Sequence, residues 1–212
     1  MAERGTKQEQ RLPWCAGPDL SLALGSAWTR ENRLPDIDQA TAAALGWPKA
    51  KYAWIERERR WLCRAVPFDR VVRSEAYEDL YVTGTQLRLR RAIPTDGGPE
   101  MLRLGRKADV SPAVRLLTSI YLSPEEFRLL SALPGKVLRK TRHHLGKVDG
   151  ADVSVDVFEG ALSGLIMGEA EFETVEALEA WPMPDFAYRE VTDDVRYTGG
   201  MLVTAGLPDD AG

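Results

Sequence analysis

The chain reads as an α+β protein whose body is an antiparallel β-barrel, closed or nearly closed, with a few helices packed outside it. Three features point there. After Lys51 the sequence breaks into short segments of period two separated by turn residues, the signature of an antiparallel sheet. Helix signals among these segments are few. Several segments also carry charge at alternate positions, where a half-buried strand ordinarily carries Val or Ile. Many strands with few helices fit a barrel, which leaves no edge unpaired.

A length of 212 residues suits one globular domain with a sizeable core, or one domain plus an appendage. The balance of 28 Lys+Arg against 32 Asp+Glu, a formal charge of -4, excludes a global basic field that recruits nucleic acid or anionic membrane. An anion site must therefore be local. Cys15 and Cys63 belong to no CxxC pair and no Cys/His cluster, which fits a reducing compartment. Apolar runs are too short to cross a bilayer, and the polar start lacks a signal-peptide core. A cytoplasmic protein with neither nucleic acid nor membrane as partner is expected. A homodimer is left open.

Residues 1–50 read as an N-terminal arm with a short helix, 51–204 as the barrel domain and 205–212 as a flexible tail. The arm begins Pro/Gly-rich and without sustained period, although Trp14 and Trp28 are costly to leave in water. A helix is expected over 36–45, capped by Asp36 or Asp38 and stopped by Gly46 and Pro48. Strands are expected over 52–63, 85–92, 100–107, 113–121, 136–144, 152–158 and 164–173, with a weak last one over 187–191. Ser123-Pro124-Glu125-Glu126 supplies an N-cap, a first-turn proline and first-turn acids for a helix that ends at Leu133-Pro134-Gly135. A shorter helix is expected over 174–180.

The charged faces carry the functional reading. In Ile55-Glu56-Arg57-Glu58-Arg59-Arg60-Trp61-Leu62 the pleat puts Glu56, Glu58 and Arg60 on one face. Arg88 and Arg90 share a face, as do Arg103 with Lys107, Lys140 with Arg142, and Glu169 with Glu171; Asp156 sits with Ser154 and Phe158. Pointing outward, these rows would be an ordinary solvated exterior. Pointing inward, they enclose a wet channel, because buried charges persist only when paired or metal-bound. Such a channel suits a polyanion bridged to carboxylates by divalent cations. Leu87, Leu89, Leu102 and Leu104 on the opposite faces favour the inward orientation, with helices covering them.

These residues resemble the CYTH domain, or triphosphate tunnel metalloenzymes. Glu56-Arg57-Glu58-Arg59-Arg60 is similar to the family's ExExK signature, with arginine for its lysine. The resemblance continues through Arg88/Arg90, Lys107, Lys140-Thr141-Arg142, Val155-Asp156-Val157-Phe158 and Glu169-Ala170-Glu171, and ends near Glu190–Tyr197. It covers about residues 52–202. It implies an eight-stranded antiparallel tunnel that binds Mg2+ or Mn2+ on acidic side chains and a triphosphate on basic ones. Carried over by position, Glu56, Glu58, Asp156, Glu169 and Glu171 face metal, and Arg60, Arg88, Arg90, Arg103, Lys107, Arg115, Lys140 and Arg142 hold phosphate oxygens. Glu58, Arg60 and Glu171 are the implied catalytic residues.

Two departures stand out. The strand before the long helix, Arg115-Leu-Leu-Thr-Ser-Ile-Tyr121, has no carboxylate, where many members carry inward glutamates that serve a second metal. Arg60 keeps the lysine's charge but offers a planar fork instead of a compact ammonium.

The expected activity is metal-dependent hydrolysis of a triphosphate, with inorganic tripolyphosphate the first substrate to test. The alternatives are a non-catalytic sensor of polyphosphate or nucleotide, and a nucleotidyl cyclase of the adenylate cyclase type acting on ATP. His143 and His144 point to opposite strand faces and do not chelate together, and the pair reads as partly exposed near a turn at Gly146. Cys63 faces away from Glu56 and reads as outer packing. Gly199-Gly200 lacks the following helix of a phosphate-binding loop.

Overall fold

The computed structural model describes residues 37–211. The expectations for Trp14, Cys15, Trp28 and Asp36 lie outside these residues. Helices α1 (Gln39–Ala44), α2 (Pro124–Leu130), α3 (Val175–Ala180) and α4 (Gly199–Ala205) accompany nine strands: β1 (Trp54–Cys63), β2 (Arg73–Val82), β3 (Leu87–Pro94), β4 (Met101–Ser111), β5 (Val114–Tyr121), β6 (Gly135–Val148), β7 (Ala151–Phe158), β8 (Ile166–Glu171) and β9 (Ala187–Glu190).

The strands run in the order β5-β4-β3-β2-β6-β7-β8-β1-β9, and a further β5–β1 pairing closes eight of them into an antiparallel barrel. Glu58 lies opposite Glu171 on β8, and Glu56 opposite Arg115 on β5. The sequence reading of an α+β barrel holds, with one exchange of strands. The expected strand over 187–191 is β9, which lies outside the closed ring and pairs with the end of β1. The eighth stave is instead β2, for which no strand was expected. Its acids lower β propensity locally, and its partners, the next strand β3 and the distant β6, stabilise it.

Helix ends follow local chemistry. Asp38 accepts from the Thr41 amide at 2.8 Å to cap α1. Ser123 and Glu126 form a reciprocal capping box on α2. Strand β6 runs past Gly146, which takes φ +74° at a bulge, so the turn expected there is a kink inside a longer strand. Helix α4 begins at Gly199, capped by Thr198, where no helix was expected.

Apolar faces of the strands are covered on the outside. Ile37, Ala42, Trp47 and Ala53 pack with Ala108 and Leu116, so α1 and the turn after it seal β4 and β5. Trp61, Val153, Val155 and Ala170 pack with Phe172 and Trp181. Cys63, in the same cluster, is buried and free, and burial pushes its thiol up to about 12. Residues near the C-terminus, expected as a flexible tail, are tied back: Asp210 accepts from Arg189 at 3.0 Å and Arg196 at 3.1 Å, and Ala211 is buried.

Candidate active site

Rows of alternate residues line a tunnel cavity of ≈ 550 Å³. On β1 the row is Glu56, Glu58, Arg60, then Leu62; on β8 it is Glu171, Glu169, then Met167; on β6 it is His144, Arg142, Lys140, then Leu138. Each row thus ends in an apolar side chain at the same end of the barrel. There Leu62, Leu138, Phe158 and Met167 cluster with Tyr197 and with Leu202 of α4, which makes an apolar floor beneath a charged wall.

Three carboxylates converge. Glu56, Glu58 and Glu171 each offer one oxygen, all within 4.8 Å of one another. The β1–β8 register places Glu58 directly opposite Glu171, and the period of β1 adds Glu56. Like charges at this spacing are costly. Enclosure by the tunnel, with the charges of Glu56 and Glu58, pushes the Glu171 carboxyl up to about 7 although tunnel water reaches it. Burial acts in the same direction on Glu56, but Lys107 and Arg115 outweigh it and hold that carboxyl below its ordinary value. Lys107 donates to both Glu56 oxygens at 2.7 and 2.6 Å, and Arg115 donates to Glu58 at 2.9 Å and to Asp109 at 2.7 Å.

Asp156 and Glu169 take another place. Asp156 is completely buried and accepts from Arg142 at 2.7 and 2.6 Å and from Lys140. Glu169 accepts from Arg142, and its carboxyl lies well below the ordinary range because Arg142 and Lys140 outweigh the effect of burial. These two acids orient cations and stand apart from the three-carboxylate group. The reason is register, since Arg142 on β6 faces Asp156 on β7.

Sequence reasoning missed Glu75, Tyr77 and Asp79 because it missed β2. Asp79 is fully buried and holds Arg90 through two bonds of 2.6 Å, with Arg88 at 3.8 Å. Glu75 accepts from Tyr77 at 3.0 Å, pairs with Arg73 at 2.8 Å and lies 2.7 Å from His144 Nε2. The alternation Glu75, Tyr77, Asp79, Tyr81 against Ala76, Leu80, Val82 was the available signal. His143 turns the other way, 2.8 Å from Ser74 Oγ.

The basic set lines the same cavity: Arg60, Arg88, Arg90, Arg103, Lys107, Arg115, Lys140 and Arg142. Arg103 Nε is buried without a hydrogen-bond partner. Arg60 lies 3.5 Å from Glu58 but donates at 2.8 Å to the Thr192 carbonyl. Strand β5 supplies no acid, and its Arg115 lies between two carboxylates in register, Glu56 on β1 and Asp109 on β4.

Three carboxylates with oxygen ligands at this spacing fit a hard divalent cation, and the raised Glu171 value marks a site whose crowded negative charge such a cation relieves. The opposing cations fit a multiply charged phosphate chain.

No protein-family model matches the chain. An inorganic triphosphatase of Nitrosomonas europaea (strain ATCC 19718 / CIP 103999 / KCTC 2705 / NBRC 14298) is 36% identical over 84 residues. These are 39% of this chain and 56% of the relative, so the match spans little more than half of that protein. The crystal structure of the inorganic triphosphatase NE1496 is 27% identical, with 70% of this chain and 93% of that one covered at a TM-score of 0.48. A protein of Pyrococcus horikoshii OT3 is 23% identical, with 58% and 82% covered at a TM-score of 0.43. The eight-stranded ring with its inward rows of charge has the form of the tunnel that the sequence resemblance implies, and the chain is similar over 84 residues to an inorganic triphosphatase.

Proposed function

We propose that the protein hydrolyses the terminal phosphoanhydride of a triphosphate, inorganic tripolyphosphate first among candidates, with Mg2+ or Mn2+ held by Glu56, Glu58 and Glu171. The observation that carries this is the convergence of those three carboxylates opposite a wall of cations in one closed tunnel. A divalent cation there supplies charge neutralisation of the phosphate oxygens and a template for the attacking water.

The chain's own residues do the rest. Arg88, Arg90, Lys140 and Arg142, held in place by Asp79 and Asp156, present donors fixed before substrate arrives, so little reorganisation accompanies charge development in the transition state. Arg103, with an unpartnered Nε, has hydrogen-bonding capacity free for a phosphate oxygen. Lys107 and Arg115 pair with Glu56 and Glu58, and a cation held on those carboxylates would free both for phosphate oxygens. Glu171 would offer one oxygen to the cation and keep the other to orient the water and accept its proton. Water oxygen bonds to the terminal phosphorus, the bridging P–O bond breaks, and diphosphate leaves with orthophosphate as the second product.

The test is phosphate release from tripolyphosphate, ATP and thiamine triphosphate with Mg2+ or Mn2+. Glu58→Ala should lower metal-dependent release on the order of 100-fold or more. Release that survives the substitution sinks the assigned site. Tight tripolyphosphate binding without release would instead support a sensor, and cyclic nucleotide from ATP a cyclase.

A further inference from the structure

The barrel wall has a seam. On one edge β1 pairs with β5 only through Arg57, opposite Val114, and with β9 only from Trp61, opposite Glu190. Between them the ladder is reduced to three bonds: the Glu58 amide donates to the Ala113 carbonyl at 2.9 Å, the Arg60 amide to Thr192 Oγ1 at 3.0 Å, and the Val191 amide to the Arg60 carbonyl at 2.8 Å. Behind this gap lies a second cavity of ≈ 260 Å³. Arg60, Asp109, Arg115 and Thr198 line both it and the tunnel, so the two spaces meet at these side chains. Its outer lip includes Ser111 and Val195, both exposed, the latter at 64%.

Arg60 spans the junction. Its guanidinium donates to the Thr192 carbonyl at 2.8 Å and reaches the carbonyls of Pro112 and Tyr197 at 3.4 Å each, while Nε is buried without a hydrogen bond. One fork thereby touches the β4–β5 turn and the segment after β9, the two sides of the seam.

The tunnel is closed at its inner end by the apolar floor and α4. A triphosphate entering by the mouth leaves its inner phosphate beside Arg60 and Arg115, and after cleavage the diphosphate stands between that phosphate and the mouth. We propose that the seam is a side exit for orthophosphate, latched by Arg60. The inference rests on the hydrolase reading above. The passage carries the guanidiniums of Arg60 and Arg115 at its inner lip, with the Asp109 carboxylate paired to Arg115 at 2.7 Å, and the two cations are suited to a small oxyanion. Swinging Arg60 off the Thr192 carbonyl opens the way, and an arriving phosphate replaces the carbonyl oxygens it leaves.

The experiment blocks the outer lip of the folded protein. In a Cys15→Ser background, Val195→Cys offers a new exposed thiol, whereas Cys63 is buried. Unlabelled, this variant should turn over tripolyphosphate like its parent. After reaction with a bulky thiol reagent, kcat should fall on the order of tenfold while the first turnover, read by acid quench, keeps its rate. A burst of about one equivalent of orthophosphate then precedes the slow phase, and KM falls with kcat because chemistry is no longer rate-limiting. Ser111→Cys, on the opposite lip, should respond alike and serves if Val195→Cys does not fold. Equal steady-state rates before and after labelling overturn the exit, as does a matching loss in the first turnover. If the unmodified protein releases no phosphate from any triphosphate, the hydrolase reading fails and the exit with it. Normal turnover that is indifferent to the label sinks the exit alone.

Discussion

At the scale of single residues, the tunnel divides its acids into two kinds. Glu56, Glu58 and Glu171 crowd one another, whereas Asp156 and Asp79 are consumed in pairing arginine and lysine. The two kinds answer differently to substitution. Asp156→Ala leaves Lys140 and Arg142 without their buried partner and should cost about 3–5 kcal/mol of metal-free stability, measured by denaturant unfolding. An unchanged midpoint would mean that Asp156 is no structural counter-ion. For Glu171 the sign runs the other way. Its folded-state value of about 7 lies above the ordinary 4.5, so the folded chain holds that proton more tightly than the unfolded one. The ionised carboxylate therefore costs stability, a cost absent below about pH 4.5 and complete above about 7. Glu171→Gln should leave the metal-free melting temperature unchanged at pH 4 and raise it at pH 8. Equal shifts at both pH values would contradict the crowding.

At the scale of elements, α1 is part of the barrel's packing. Trp47, just beyond it, is buried, donates from its indole to Thr118 at 2.8 Å and carries the Arg106 guanidinium 4.0 Å over its ring. Trp47→Ala should cost about 3–5 kcal/mol in thermal or denaturant melts. A loss under about 1 kcal/mol would show that the outer faces of β4 and β5 need no such cover. Most elements were legible because their signals are local: Asp38 and Ser123 cap their own helices, and period two runs through β1, β3, β4 and β6. Strand β2 was not, since Glu75 and Asp79 are tolerable inside a strand only once His144, distant in the chain, and Arg90, across the β2–β3 hairpin, pair with them. Helix α4 was hidden for a similar reason, a double glycine at its start being a weak signal without the floor it covers.

At the scale of the whole molecule, a chain of net charge -4 keeps a dense basic set inside. Its tunnel pairs Lys107 with Glu56 and Arg115 with Glu58, and on the proposed function substrate and cation would replace these pairs together. Binding should therefore be cooperative between the two. Tripolyphosphate with Mg2+ at about 100 times Kd should stabilise the fold by about 2.7 kcal/mol, and either one alone by much less. Calorimetric melts with each ligand singly and together check this; full stabilisation by tripolyphosphate alone would count against the coupling.

The sequence by itself determined which faces of the strands are charged, because side-chain parity follows from the extended backbone of each single strand and needs no partner. It therefore carried the barrel class and the rows holding Glu56, Glu58, Arg88, Arg90, Lys140 and Arg142. Only the tertiary structure decided which acids meet and which are taken by arginine, where the tunnel ends, and that Arg60 bridges a seam. These depend on register between strands as far apart as β1 and β8, and on a chain end that folds back over the floor. No local pattern encodes such distances; closure of the ring sets them.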